Sequence, residues 1–305
     1  MPNKTAPPLN SILDDLICVR DWLRYGVSRF EAAGLIYGHG TTSALDEAAF
    51  LILKTLHLPI DSLEPWLDCR LTRAERAQVA AILDLRITTR KPACYLVNEA
   101  WIQGLSFYVD ERVIVPRSYI GELLHDGLSA VVTDPADVER VLDLCTGSGC
   151  LAILAARAFP NADIDAVDIS DDALEVARQN TGDYGLDDRI DVKASDLFMG
   201  VAGQRYDLIL SNPPYVSDEA VDDFPPEYRA EPVLAHAGGK DGLEFVRRIL
   251  KEARQHLNDD GMLVVEFGTG REILEAEYPT LPFLWLDTEN SEGEVFALPA
   301  SALSK

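Results

Sequence analysis

The run Asn212-Pro213-Pro214-Tyr215 places a side-chain amide, two prolines and a flat aromatic ring directly after the apolar segment Leu208-Ile209-Leu210. Taken alone, Asn-Pro is a turn dipeptide and Pro-Pro a stiff linker. At the end of a strand the same residues can do more. The Asn212 oxygen and the Pro213 carbonyl are two acceptors, and the prolines fix where that carbonyl points. Aimed at the two N–H bonds of a carboxamide, they would draw its nitrogen lone pair out of the conjugation that keeps amides planar. Tyr215 would sandwich the amide and stabilise developing positive charge. Such a site suits attack by an amide nitrogen on a carbon that a cofactor has already activated. That chemistry asks for no metal and no covalent nucleophile.

A second constellation suits ligand binding. The apolar run Val141-Leu142-Asp143-Leu144 leads into Cys145-Thr146-Gly147-Ser148-Gly149-Cys150, and a helical segment follows. Gly147 and Gly149 lack Cβ atoms, so backbone there can approach a ligand closely. The spacing is not the G-x-G-x-x-G dinucleotide fingerprint, and many strand-to-helix turns carry a bare G-x-G. Context adds to it. The next run, Ile164-Asp165-Ala166-Val167-Asp168, ends in an acid where doubly wound folds bind ribose hydroxyls. The plainer reading is that Asp168 supports the helix that Ser170 caps. After the third run, Asp196 stands where it could accept from an adenine amino group, with Leu197 and Phe198 against the ring.

These residues need a scaffold that collects strand ends. Short apolar runs at 141–144, 164–167, 190–192, 208–210 and 262–267 alternate with helical patterns at 118–132, 151–159, 173–178 and 243–257. That alternation predicts an α/β fold, a doubly wound, mostly parallel sheet with helices on both faces. Upstream, Ile12, Leu13, Leu16, Ile17, Trp22 and Leu23 recur at helical spacing, and Ser43–Asp46 and Thr72–Glu75 fit capping boxes. The expected organisation is a helical domain over 1–92, a β-hairpin linker over 93–117 and a catalytic domain over 118–305. The hairpin is read from Tyr95-Leu96-Val97, Trp101-Ile102, Phe107-Tyr108-Val109 and Val113-Ile114-Val115, with turns at Gly104 and Asp110-Glu111.

Charge divides unevenly between these parts. Residues 1–120 hold 13 basic and 14 acidic residues, whereas the remainder holds 14 and 37, which accounts for nearly all of the net −24. An acidic catalytic half repels nucleic-acid phosphates and favours a basic partner, unless the excess serves only solubility. The five scattered cysteines form no C-x-x-C pair and read as reduced thiols. The stretch Met1–Leu16 has no apolar core of signal-peptide length, and no run is long enough to span a membrane. A cytoplasmic protein that binds neither membrane nor nucleic acid is expected.

With these residues in place, the chain resembles the HemK-like N5-glutamine methyltransferases. The resemblance covers nearly the whole length. It includes Val113-Ile114-Val115-Pro116-Arg117, the Asp143–Gly149 turn, Asp168, the Asn212–Tyr215 motif and the stretch Glu231-Pro232…Gly238-Gly239-Lys240-Asp241-Gly242-Leu243. It implies a class I S-adenosylmethionine-dependent fold whose sheet ends in an antiparallel strand, a role that suits Gly293-Glu294-Val295-Phe296-Ala297-Leu298. S-adenosylmethionine would be held by Asp143, Thr146, Gly147, Ser148, Gly149, Asp168, Asp196, Leu197 and Asn212, leaving S-adenosylhomocysteine. Asn212, Pro213, Pro214 and Tyr215 would be catalytic. The helical domain would recognise the substrate.

Within the family, Cys145-Thr146-Gly147-Ser148-Gly149 and Tyr37-Gly38-His39-Gly40-Thr41 look like the branch that methylates a glutamine of the third large-subunit ribosomal protein. Release-factor enzymes usually carry glycine at the position of Cys145, and a release factor is the alternative substrate. Tyr119 departs from the ribosomal branch too, where proline is usual. Cysteine in the turn is expected to keep a negative φ. Two further readings remain, a nucleic-acid amino-methyltransferase sharing the Asn-Pro-Pro-Tyr motif and a non-catalytic binder of nucleotide-like ligands.

Overall fold

The computed structural model describes residues 9–303; the first eight residues of the stretch read above for targeting signals lie outside the described residues. Two compact units emerge, Met1–Asn98 with Pro225–Ala230, and Glu99–Phe224 with Glu231–Lys305.

The first unit is helical: α1 (Leu9–Asp15), α2 (Val19–Ala33), α3 (Ala44–Thr55), α4 (Arg73–Thr89) and α5 (Ala93–Val97). Ser43 and Thr72 cap α3 and α4, and Glu75 closes a capping box back onto Thr72. Trp22, Phe30, Leu51, Ile52, Val79 and Leu83 form its core. Two features differ from the sequence expectation. Tyr95-Leu96-Val97 form the last turn of α5, not a strand, because Asn98 ends the helix in the left-handed region (φ 52°) and Ala93, Cys94 and Tyr95 are buried. The strap 225–230 also belongs here. Within it Glu227 is fully buried, accepting from the Ile36 N–H at 3.1 Å and pairing with Arg90 at 2.7 Å.

The second unit opens with the hairpin β1 (Ala100–Ile102) and β2 (Leu105–Phe107). Its two-residue turn, Gln103-Gly104, holds both residues at positive φ (49° and 74°), as a tight hairpin requires. Then follow α6 (Tyr119–His125), β3 (Arg140–Leu144), α7 (Cys150–Ala158), β4 (Asp163–Asp168), α8 (Asp171–Asp183), β5 (Ile190–Ala194), β6 (Tyr206–Ser211), α9 (Asp218–Asp222), α10 (Glu244–His256), β7 (Leu257–Glu266), α11 (Arg271–Glu277), β8 (Leu284–Leu286) and β9 (Val295–Pro299).

The sheet runs β5-β4-β3-β6-β7-β9-β8, parallel from β5 to β7 and antiparallel beyond. The expected antiparallel strand is β9, but it is not the edge. The short β8 pairs outside it, through a Trp285-centred cluster with Phe267, Phe283 and Phe296. One apolar layer packs α6 and α7 on one face, the other α10 and α11 on the opposite face. From β3 the chain goes outward to β4 and β5, then returns to place β6 on the other flank of β3. The strand order reverses there, so the carboxyl ends of β3 and β6 border a crevice, where such sheets bind ligands.

Candidate active site

Register sets the two constellations side by side. Leu144, the last residue of β3, pairs with Ser211, the last of β6, and the Ser211 hydroxyl donates to the Leu144 carbonyl at 3.1 Å. The next residue on each strand is therefore Cys145 and Asn212. Both line a cavity of about 210 Å³, together with Gly147, Asp168, Asp196, Leu197 and Pro214.

The glycine turn is held from beneath. The Asp143 carboxylate accepts from the Thr146 hydroxyl at 2.6 Å and from the Ala152 N–H at 3.1 Å, tying the turn to the first turn of α7. Asp143 is fully buried and is not part of the cavity wall. Burial pushes its carboxyl up to about 7. Its other oxygen, Oδ1, has no hydrogen-bond partner among the described residues. Thr146, Ser148 and Gly149 likewise lie behind the wall rather than on it. The two glycines divide the work. A Cβ on Gly147 (φ 56°) would meet nothing within 4 Å, whereas one on Gly149 (φ 80°) would press on Ala177 of α8 at 3.3 Å. Gly149 thus serves helix packing, and Gly147 alone leaves space on the ligand side.

Cys145 corrects an expectation. Its φ is +60°, left-handed, although it carries a side chain. Thr146 N–H bonds to the Val167 carbonyl, and Ser211 engages the Leu144 carbonyl, so the backbone on either side is pinned. Burial and the Asp168 and Asp143 carboxylates push the Cys145 thiol up, and it stays protonated at neutral pH.

Asp168 supports the helix start, as its plainer reading has it, and it also faces the cavity. Its oxygens accept from the Ser170 N–H at 3.0 Å and the Gly147 N–H at 2.9 Å, linking helix start and glycine turn. Each carboxylate oxygen has a second lone pair, and the residue faces the cavity. Burial raises its pKa from the usual carboxylate value. Asp196 also faces the cavity, but one of its oxygens is held by Arg248 at 2.7 Å. Phe198 is buried behind Leu197, stacked on His256, and does not reach the wall.

Of the catalytic motif, Asn212 and Pro214 line the cavity; Pro213 and Tyr215 do not. The Asn212 Nδ2 donates to the Arg117 carbonyl at 3.2 Å, which leaves Oδ1 as the acceptor for a group in the cavity. The Tyr215 ring would collide with a Cβ on Gly268 at 2.7 Å, and its hydroxyl lies 3.4 Å from Glu266. The Glu231–Leu243 stretch gains a physical role. Val216 N–H bonds to the His236 carbonyl at 2.9 Å and Gly238 N–H to the Val216 carbonyl at 2.8 Å. Side chains on Gly238 or Gly242 would strike the Pro214 and Tyr215 backbone. The glycines let this loop lie directly on the motif.

A family model for the methyltransferase small domain matches residues 124–224. Over nearly its whole length the chain is similar to curated proteins. It is 54% identical to the ribosomal protein uL3 glutamine methyltransferase of Bradyrhizobium diazoefficiens, over 98% of this chain and 96% of that protein. The enzyme of the same name from Burkholderia pseudomallei is 55% identical over 93% and 95%. That from Neisseria meningitidis serogroup B is 53% identical over 96% and 97%. The chain belongs to the uL3 glutamine methyltransferase family.

The family's methyl donor is S-adenosylmethionine, and the class I fold follows the sequence expectation. Among solved structures, the catalytic domain of human Mettl16 in complex with the MAT2A 3′UTR hairpin 1 shares that fold, with a TM-score of 0.52 and 19% identity over 83% of this chain and 90% of that one. Two residues at the site, Arg248 and Glu266, escaped the sequence reading, and Glu231 was named there without a role. Arg248 holds Asp196, Glu266 accepts from the Ser118 hydroxyl at 2.6 Å and the Tyr119 N–H at 2.8 Å, and Glu231 binds Arg117. Proline in place of Tyr119 would have no N–H to give. Arg248 stands on a helix already read as amphipathic, so a basic residue facing strand ends was its one available signal.

Proposed function

We propose that the protein methylates the side-chain nitrogen of a glutamine in ribosomal protein uL3, with the amide held between the Asn212 oxygen and the Pro213 carbonyl. Asn212 and Pro214, the chain neighbours of Pro213, both line the cavity. The observation that carries this reading is the orientation of Asn212. Its Nδ2 is committed to the Arg117 carbonyl, so its oxygen is offered at the cavity, next to the cofactor turn. The residues present fit S-adenosylmethionine. Asp168 supplies acceptors for ribose hydroxyls, Ile169, Leu197 and Phe245 supply apolar wall for a purine, and the missing Gly147 side chain leaves room. When bound, that cofactor supplies a methyl group on a sulfonium, already activated for transfer.

The protein's part is to prepare the nitrogen. Two acceptors on the two N–H bonds orient the NH₂ group and build electron density on nitrogen as it leaves conjugation. The nitrogen sheds one of those protons to water once the new N–C bond has formed. Tyr215 supports this from behind, its ring packed on Gly268 and its hydroxyl toward Glu266. In this reading Asp143 acts on the cofactor side only through the turn it braces.

The substrate is read from the family members' names, and the charge agrees with it. Ribosomal proteins are typically basic, and the acidic half of the chain carries the site, so encounter is steered and slows as salt rises. Among the described residues no helix is long and apolar enough to cross a membrane, in keeping with a protein that meets its substrate in the cytoplasm. The test offers labelled S-adenosylmethionine with purified uL3, with a release factor or with RNA. Label on a uL3 glutamine and not on the release factor is the expected result. Label on the release factor alone overturns the substrate assignment, and label on RNA overturns the reaction class.

A further inference from the structure

Glu231 is buried, does not line the cavity, and yet is wired to the atom proposed to hold the substrate amide. Its Oε1 accepts from the Val115 N–H at 2.9 Å and from Arg117 Nη1 at 2.8 Å, and its Oε2 accepts from Arg117 Nη2 at 2.7 Å. His236 Nε2 lies 3.0 Å from Oε2. The guanidinium is thus gripped as a fork, and the backbone two residues earlier is gripped by the same carboxylate. Directly after these fixed points in the chain, the Arg117 carbonyl accepts from Asn212 Nδ2.

We infer that Glu231 is a positioning residue for Asn212, acting through the main chain of Val115-Pro116-Arg117. This rests on the reading of Asn212 given above. The Asn212 amide is planar, so fixing its nitrogen end fixes the direction of its oxygen. Its nitrogen partner is a carbonyl outside any helix or strand. That carbonyl is held on its far side by Ser118, the cap of α6, which donates to Glu266, and on its near side by the contacts of Glu231. On the near side the Glu231 carboxylate supplies the anchoring that a ladder would. Such an arrangement matters to the rate more than to binding, since a small misplacement of a catalytic group costs far more in the transition state than in the ground state.

The experiment is a double-mutant cycle on the full chain, reading turnover, cofactor affinity and thermal stability. Glu231→Gln keeps the size but cannot accept at both oxygens. It is expected to lower kcat about 10- to 100-fold, the scale of a roughly ångström-sized misplacement, with cofactor affinity changed less than about threefold. In an Asn212→Ala background the same change should lower kcat less than about threefold further, because the atom being positioned is gone. Arg117→Lys, which keeps charge and loses the fork, should reproduce part of the loss and serves if Glu231→Gln does not fold. Losses that multiply in the double variant, or normal kcat in both Glu231→Gln and Arg117→Lys, overturn the inference. Normal kcat in Asn212→Ala overturns the Asn212 reading itself, and this inference falls with it.

Discussion

Replacing Cys145 by glycine separates the conformational role of this residue from any chemical one. At φ +60° a side chain costs about 1 kcal/mol relative to glycine, so the change recovers that much. Against this, glycine loosens the unfolded chain by about 0.5–1 kcal/mol. The half-buried thiol packs against the apolar layer of Leu142, Leu144 and Val167, and removing it costs about 1 kcal/mol more. The balance is a loss of about 0.5–1 kcal/mol, a shift of melting temperature by no more than about 4 °C in a unit of this size. Cys145→Val makes the opposite comparison. It adds a branched side chain where left-handed backbone is hardest to adopt, and should cost at least about 2 kcal/mol. Thermal unfolding measures both variants, and calorimetry with S-adenosylmethionine and a turnover assay complete the set. Because the thiol is held protonated, Cys145→Gly should keep its turnover and its cofactor affinity. Inactive Cys145→Gly with intact fold and cofactor binding would refute the purely conformational role. Valine and glycine variants of equal stability would refute the backbone argument.

Asp168→Ala removes a cavity-facing carboxylate and should weaken S-adenosylmethionine binding by about 2–3 kcal/mol in calorimetry; unchanged affinity excludes a ribose contact. Asn212→Ala should cut kcat about 10²–10³-fold while leaving cofactor affinity within about tenfold. Asn212→Asp, which keeps an acceptor of the same shape, should retain part of the rate, and equal rates for alanine and aspartate count against the acceptor role. Glu266→Gln concerns pH. Burial raises Glu266 from 4.5 to about 7, so its contribution is fully present below 4.5 and is lost as pH rises through about 7. Denaturant unfolding across that window should show the glutamine variant gaining about 3 kcal/mol on wild type from low to high pH, and parallel stability curves would exclude the ionisation.

The pieces of the site were legible in the sequence wherever one short segment encodes its own backbone. Short apolar runs marked β3, β4 and β6 closely, because these strands are buried on both faces, and a 3.6-residue period marked α10, because one side of it faces the core. Glycine spacing, the acid ending β4 and the Asn-Pro-Pro-Tyr run after β6 carried their chemistry in their types. Segments whose conformation answers to distant neighbours read otherwise. Tyr95-Leu96-Val97 has strand-like composition and lies in a helix because it packs into the helical unit's interior. The strap 225–230 has no periodicity to assign it, and it joins the helical unit through distant partners such as Arg90, which Glu227 pairs with. The left-handed Cys145 is imposed by hydrogen bonds on both sides of the turn, against its own preference.

The supporting shell lay further out of reach. Glu231 serves a backbone N–H 116 positions away, Glu266 a hydroxyl 148 away, and Arg248 a carboxylate 52 away. Only strand order set Asn212 beside Cys145, since nothing in either segment names its neighbour in the sheet. A buried carboxylate is stable only when its hydrogen bonds are met, and which groups meet them depends on how the folded chain brings distant segments together. Local sequence therefore determined which groups are candidates for the chemistry, and the tertiary fold decided what holds them and where they point.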